Sequence, residues 1–133
     1  MKKLLIQSCA GLCLVLIAGC NSSAVEGKWQ YDGGIYNGKE RKAATEFLMQ
    51  RTYKADTFEA FLLEGQATPE LYNSGDYEIK GDSILITSKF SSQPSQNDNV
   101  TIAYQFKTEG SRMTTSGVLP NGMVVEEYWK KVD

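Results

Sequence analysis

The sequence predicts an all-β domain that closes as an eight-stranded antiparallel up-and-down barrel, placed after an N-terminal export signal. Three observations lead there. Short runs rich in aromatic and β-branched residues recur roughly every 10–15 positions and are separated by Gly, Asn, Asp and Pro, as strands joined by turns are. Helical periodicity is hard to find. The later part of the chain carries consecutive hairpin signals, and a meander of eight strands loses its exposed edges most simply by closing on itself. A two-sheet sandwich is the competing architecture.

The elements follow in order. Met1-Lys2-Lys3 supplies positive charge, and the chain then runs apolar from Leu4 to Gly19, broken only by Gln7 and Ser8. These are the charged and hydrophobic regions of a secretory signal. As a helix the apolar run spans roughly 22–24 Å, short of the ~30 Å hydrocarbon core, so a permanent membrane span is the weaker reading. It ends in Leu16-Ile17-Ala18-Gly19-Cys20, which resembles the lipobox of bacterial lipoproteins: an aliphatic residue, two small residues, then a cysteine. The resemblance implies cleavage after residue 19, a diacylglycerol thioether on Cys20, and further acylation of the freed amine. Two or more acyl chains, at ~0.8 kcal/mol per buried CH₂, anchor a protein to a bilayer. Asn21 rather than Asp follows the cysteine, which favours the outer membrane of the cell envelope. Residues 20–24 read as a flexible tether.

The barrel is expected over 25–133. Its first strand is Val25 to Tyr31, followed by a loop through Gly33, Gly34 and Gly38. In Thr45 to Tyr53, Phe47, Met49, Arg51 and Tyr53 share one face. Thr57 to Glu64 is nearly continuously apolar, and the 45–64 stretch also admits a helical hairpin. Asp76 to Lys80 and Ser83 to Phe90 flank Gly81-Asp82, a glycine-first pair that suits a type II′ turn. Val100, Ile102, Tyr104 and Phe106 alternate with Thr101, Ala103, Gln105 and Lys107. Glu109-Gly110 turns this strand into Arg112 to Leu119, and Asn121-Gly122 predicts a type I′ turn into Met123 to Val132.

Composition narrows the function. Removing residues 1–19 takes Lys2 and Lys3 away and moves the net charge from −2 to −4. No basic face suited to nucleic acid is evident. Cys9 and Cys13 leave with the signal and Cys20 is consumed by lipid, so the mature chain has no intramolecular disulfide. It has no histidine, which removes the commonest general base and the commonest transition-metal ligand. Glu126 and Glu127 are adjacent on a strand and point to opposite faces, so they cannot act as a carboxylate pair on one substrate. No motif for a cofactor, a phosphate or a catalytic serine stands in the mature chain. A non-enzymatic role is expected, with no metal, and the chain is read as a monomer.

Gly27-Lys28-Trp29 opens the first strand, Gly75-Asp76-Tyr77-Glu78-Ile79-Lys80-Gly81-Asp82-Ser83-Ile84 forms an aromatic hairpin, and Glu127-Tyr128-Trp129-Lys130-Lys131-Val132 closes the chain. Together these resemble the small lipocalin-like lipoproteins common in Bacteroidetes, many of unknown function. The resemblance implies that Trp29 plugs one end of the barrel and that a basic residue late in the last strand, Lys130 or Lys131, packs over it.

Alternation nominates Phe47, Met49, Arg51, Tyr53, Tyr77, Tyr104, Phe106, Met113, Glu127 and Trp129 as the interior lining. Most would also serve as plain core. Arg51 stands out, because an inward arginine needs an anionic partner, and Glu127, in phase with Trp129, is the obvious mate. Such a pair could be structural or could orient a polar group of a ligand. Two functions remain open: a tethered barrel that binds a small, partly apolar molecule, or a protein-interaction module with a filled interior and a binding loop such as Ser91 to Asn99.

Overall fold

The computed structural model describes residues 24–132. The expected signal over 1–19, Cys20, the first part of the tether and Asp133 lie outside the described residues.

Nine antiparallel strands make up the described chain: β1 (Gly27–Tyr36), β2 (Lys39–Arg41), β3 (Leu48–Tyr53), β4 (Thr57–Leu63), β5 (Glu70–Lys80), β6 (Ser83–Ser91), β7 (Thr101–Glu109), β8 (Arg112–Val118) and β9 (Val124–Val132). Strands β3 to β9 pair in sequence order, β1 pairs with β3, and β9 returns to β1, so eight strands close a barrel. Strand β2 is an extra short strand on the end of β1. The 45–64 stretch is strand, not a helical hairpin.

Several boundaries differ from the sequence expectation, each for a local reason. Gly33 and Gly34 are not a hairpin loop. They lie inside β1 at a bulge, where pairing with β9 jumps from Tyr31↔Trp129 to Gly34↔Glu127. Gly33 takes φ 99° there, a conformation glycine adopts without steric cost. The turn comes later, at Asn37-Gly38, with φ 50° and 80°, and leads into β2. Strand β5 starts six residues before Asp76, through a polar stretch of low β-propensity containing Asn73, Ser74 and Gly75. The Asn121-Gly122 pair does not form a type I′ turn. Pro120, with its fixed φ, takes the first central position instead, Gly122 N–H donates to Leu119 O at 2.8 Å, and Gly122 alone adopts positive φ. Gly81 does take φ 60° between the paired Lys80 and Ser83.

The barrel has two different ends. At one, short turns after β3, β5 and β7 meet the entry of β1. Here Val25 and Trp29 are buried with Phe58, Tyr53, Tyr77, Ile79, Ile84 and Met113, and Trp29 Nε1–H donates to the Val25 carbonyl at 2.8 Å. This end is closed by packed side chains. At the other, the segments 42–47, 64–69, 92–100 and 119–123 surround an open mouth. Leu48, Phe90, Val100, Val118 and Val124, the exposed large apolar residues, all lie at strand ends on this side.

Candidate functional site

Beneath the mouth the barrel wall turns inward a series of polar groups. Met49, Arg51 and Tyr53 are successive inward positions of β3, so Arg51 sits one step, roughly 6.6 Å, below Met49. Its guanidinium lies 5.0 Å from the Phe58 ring centroid and 5.2 Å from that of Trp129. One terminal nitrogen donates to the Tyr53 hydroxyl at 3.4 Å, a long bond. The Nε is buried and has no hydrogen-bond partner. Burial opposes the Arg51 charge, but Tyr53, Tyr72 and Glu127 outweigh it and hold the pKa above the ordinary arginine value.

Tyr72 reaches this group because of a bulge. Pairing of β4 with β5 passes from Ala60↔Asn73 to Phe61↔Leu71, which leaves Tyr72 as the inserted residue and turns it off the outer face. Burial raises its pKa and the Arg51 charge opposes that rise. Tyr104, from β7, lies in the same field; burial, with help from Glu127 and Tyr53 and against Arg51, pushes it up to about 12.

Glu127 faces the interior between Val125 and Trp129, opposite the buried Thr115. It does not meet Arg51: no ion pair joins the two among the described residues. Glu127 instead accepts the Tyr36 hydroxyl at 3.1 Å, and Tyr36 shares a 2.6 Å hydroxyl–hydroxyl bond with Tyr31. Room for this chain exists because the facing position is Gly34, where a Cβ would stand 2.6 Å from the Glu126 carbonyl and 3.2 Å from the Tyr31 hydroxyl. The expected Arg51–Glu127 contact is therefore replaced by an interaction at a distance. Sharing a face does not bring side chains from opposite walls of a barrel into touch.

Above Arg51 a cleft of about 510 Å³ opens at the mouth, lined by Phe47, Met49, Leu62, Glu70, Tyr72, Asn73 and Ser91 to Gln93. Its polar side is ordered by hydrogen bonds. Asn73 Nδ2 donates to the Phe90 carbonyl at 2.9 Å and the Ser91 hydroxyl donates to Asp98 at 2.8 Å. Asp98 also accepts the Ser95 N–H at 3.1 Å, so the 92–100 segment folds back on a carboxylate.

The remaining nominated residues are spread along the barrel. Phe47 and Met49 line the cleft. Tyr53 and Tyr77 pack edge to face at 5.0 Å toward the closed end, where the Tyr77 hydroxyl donates to the Lys54 carbonyl. Met113 and Trp129 are buried in the core, and Tyr104 and Phe106 pack against it half-buried. Trp29 is buried at the closed end, and the Lys131 ammonium stands 5.5 Å over its ring. Lys130 points outward and is exposed. Alternation in the sequence does not point to Tyr31, Gly34, Tyr36 or Tyr72. The Asn37-Gly38 pair would have identified Tyr36 as the end of a strand; the bulge that re-aims Tyr72 leaves no such signal.

Among the described residues no group of three or more Cys, Asp or Glu is placed to hold a metal ion, and no helix is long and apolar enough to cross a membrane. Compared with known proteins, the chain matches no family model and no characterised protein sequence.

Proposed function

We propose that this is a membrane-tethered, non-enzymatic binding protein of the bacterial envelope, whose barrel takes a small, partly apolar molecule through its open end. One observation carries the reading: a cleft of about 510 Å³, within the usual size of a small-molecule site, has Phe47, Met49, Leu62 and Tyr72 along one side and polar residues along the other, and opens above a half-buried arginine whose Nε is buried and unpartnered. In such a combination the apolar side supplies affinity through burial, and the polar side fixes orientation. The Lys131 ammonium over Trp29 at the closed end agrees with the lipocalin-like reading of the sequence.

The tether belongs to the same proposal. Lipid on Cys20 would hold the protein to its membrane, the outer membrane on the Asn21 criterion. Four residues separate Cys20 from Val25, a reach of at most ~18 Å, and Val25 is packed into the closed end. A lipid on Cys20 would hold the closed end near the bilayer and leave the mouth on the far side, open to the surrounding compartment.

A second reading has its own support. The exposed apolar residues Leu48, Phe90, Val100, Val118 and Val124 stand at strand ends around the mouth, and a partner protein seated on this rim could cover them. Titration with the neutral fluorophore N-phenyl-naphthylamine separates the two. Saturable enhancement that is lost in Leu62→Asp supports a ligand cleft; enhancement that persists in Leu62→Asp and is lost in Val118→Asp moves the site to the rim and favours the partner reading.

A further inference from the structure

Arg51 carries an N–H with nowhere to donate. Its Nε is buried and unpartnered, whereas one terminal nitrogen reaches Tyr53. A buried donor left unsatisfied is costly, so folding leaves this group ready to bind an acceptor. Its position suits that use. Arg51 lies beneath the cleft and does not line it: Met49, one inward step nearer the mouth on β3, and Tyr72 do, and Tyr72, set on its bulge, faces the cleft on one side and Arg51 on the other.

Which acceptor fits is decided by charge. Glu127 shares the enclosure, and the Tyr36 hydroxyl holds it away from the guanidinium. The interior therefore already contains one cation and one anion that do not touch. An entering carboxylate would lose its hydration, gain Arg51, and suffer the repulsion of Glu127 in a region of low dielectric. A neutral acceptor gains the Nε–H bond without those costs. The Tyr72 hydroxyl can donate to it or accept from it, so a carbonyl or a hydroxyl is satisfied equally.

We propose that the molecule bound in the cleft presents to Arg51 an uncharged oxygen acceptor, an ester carbonyl or an alcohol at the end of an apolar chain, and that a free carboxylate is discriminated against by Glu127. This rests on the cleft being a ligand site, as argued above.

The test is displacement of N-phenyl-naphthylamine from the full-length protein by lauryl alcohol, methyl laurate and laurate at neutral pH. The alcohol and the ester should compete at least about tenfold better than laurate, a difference of about 1.4 kcal/mol. Glu127→Gln, nearly isosteric, should narrow or reverse that ratio by improving laurate. Tyr72→Phe, which keeps the packing, should weaken the alcohol several-fold while the fluorophore still binds. Laurate competing as well as the alcohol on the native protein, or a ratio unmoved by Glu127→Gln, overturns the assignment and leaves the cleft standing. A fluorophore that does not bind the native protein at all removes the ligand site, and this inference with it.

Discussion

Arg51 and Glu127 occupy one barrel interior as opposite charges yet form no ion pair, because the Tyr36 hydroxyl holds the carboxylate at 3.1 Å and the rings of Phe58 and Trp129 flank the guanidinium. Each charge is stabilised by its own polar or aromatic neighbours and, at longer range, by the other.

That arrangement predicts coupling without contact. Arg51→Met alone should lower stability by roughly 1–3 kcal/mol, since it leaves the interior carboxylate without a cation in its field. Arg51→Met combined with Glu127→Gln should recover part of the loss. Urea unfolding of the two single variants and the double variant measures the coupling; strictly additive effects would show that the two charges act independently.

At the closed end the two late lysines should differ. Lys131 stands 5.5 Å over the Trp29 ring and pairs with it across β1 and β9, while Lys130 points outward. Lys131→Ala should cost about 0.5–1 kcal/mol and shift the Trp fluorescence, and Lys130→Ala should change neither. Equal effects would rule out a stabilising contact between Lys131 and Trp29.

Alkaline pH should unfold the barrel earlier than composition suggests. Burial is the leading cause that raises Tyr31, Tyr36, Tyr72, Tyr77 and Tyr104, with Tyr77 and Tyr104 pushed up to about 12. In the unfolded chain tyrosine titrates near 10, so from about pH 10 the unfolded state releases protons that the folded state retains. Stability is full below about pH 10 and falls as pH rises through the folded values, by roughly 1.4 kcal/mol per unit for each such group. Urea midpoints that stay flat from about pH 9 to about pH 12 would contradict this, and Tyr104→Phe should make the decline shallower.

Lipidation is checked at Cys20. Cys20→Ser should lose acyl mass and leave the membrane fraction, and a variant that stays there uncleaved would make the N-terminal segment an anchor instead.

The sequence made much of the barrel legible because strands report themselves by period. Val100 to Phe106 alternate strictly, and β7 pairs Tyr104 and Phe106 with the inward Gly117 and Thr115. The inward phase of Met49, Arg51 and Tyr53 and of Glu127 and Trp129 could be read for the same reason. What stayed hidden lies at bulges. An inserted residue reverses the phase of all that follows, and alternation gives no warning of it. Gly33 in β1 brings Gly34 and Tyr36 inside, and Tyr72 in β5 joins the floor of the cleft. The turn at Asn121 went astray because Pro120 fixed the preceding torsion and claimed the corner.

If the mouth of this barrel holds a small molecule, native mass spectrometry of the protein purified gently from its own host should detect it. A non-covalent adduct of small-molecule mass, carrying an ester or hydroxyl, is expected, and it should be absent from Leu62→Asp prepared in the same way. A bare chain in both preparations, together with no binding of N-phenyl-naphthylamine, would contradict that expectation.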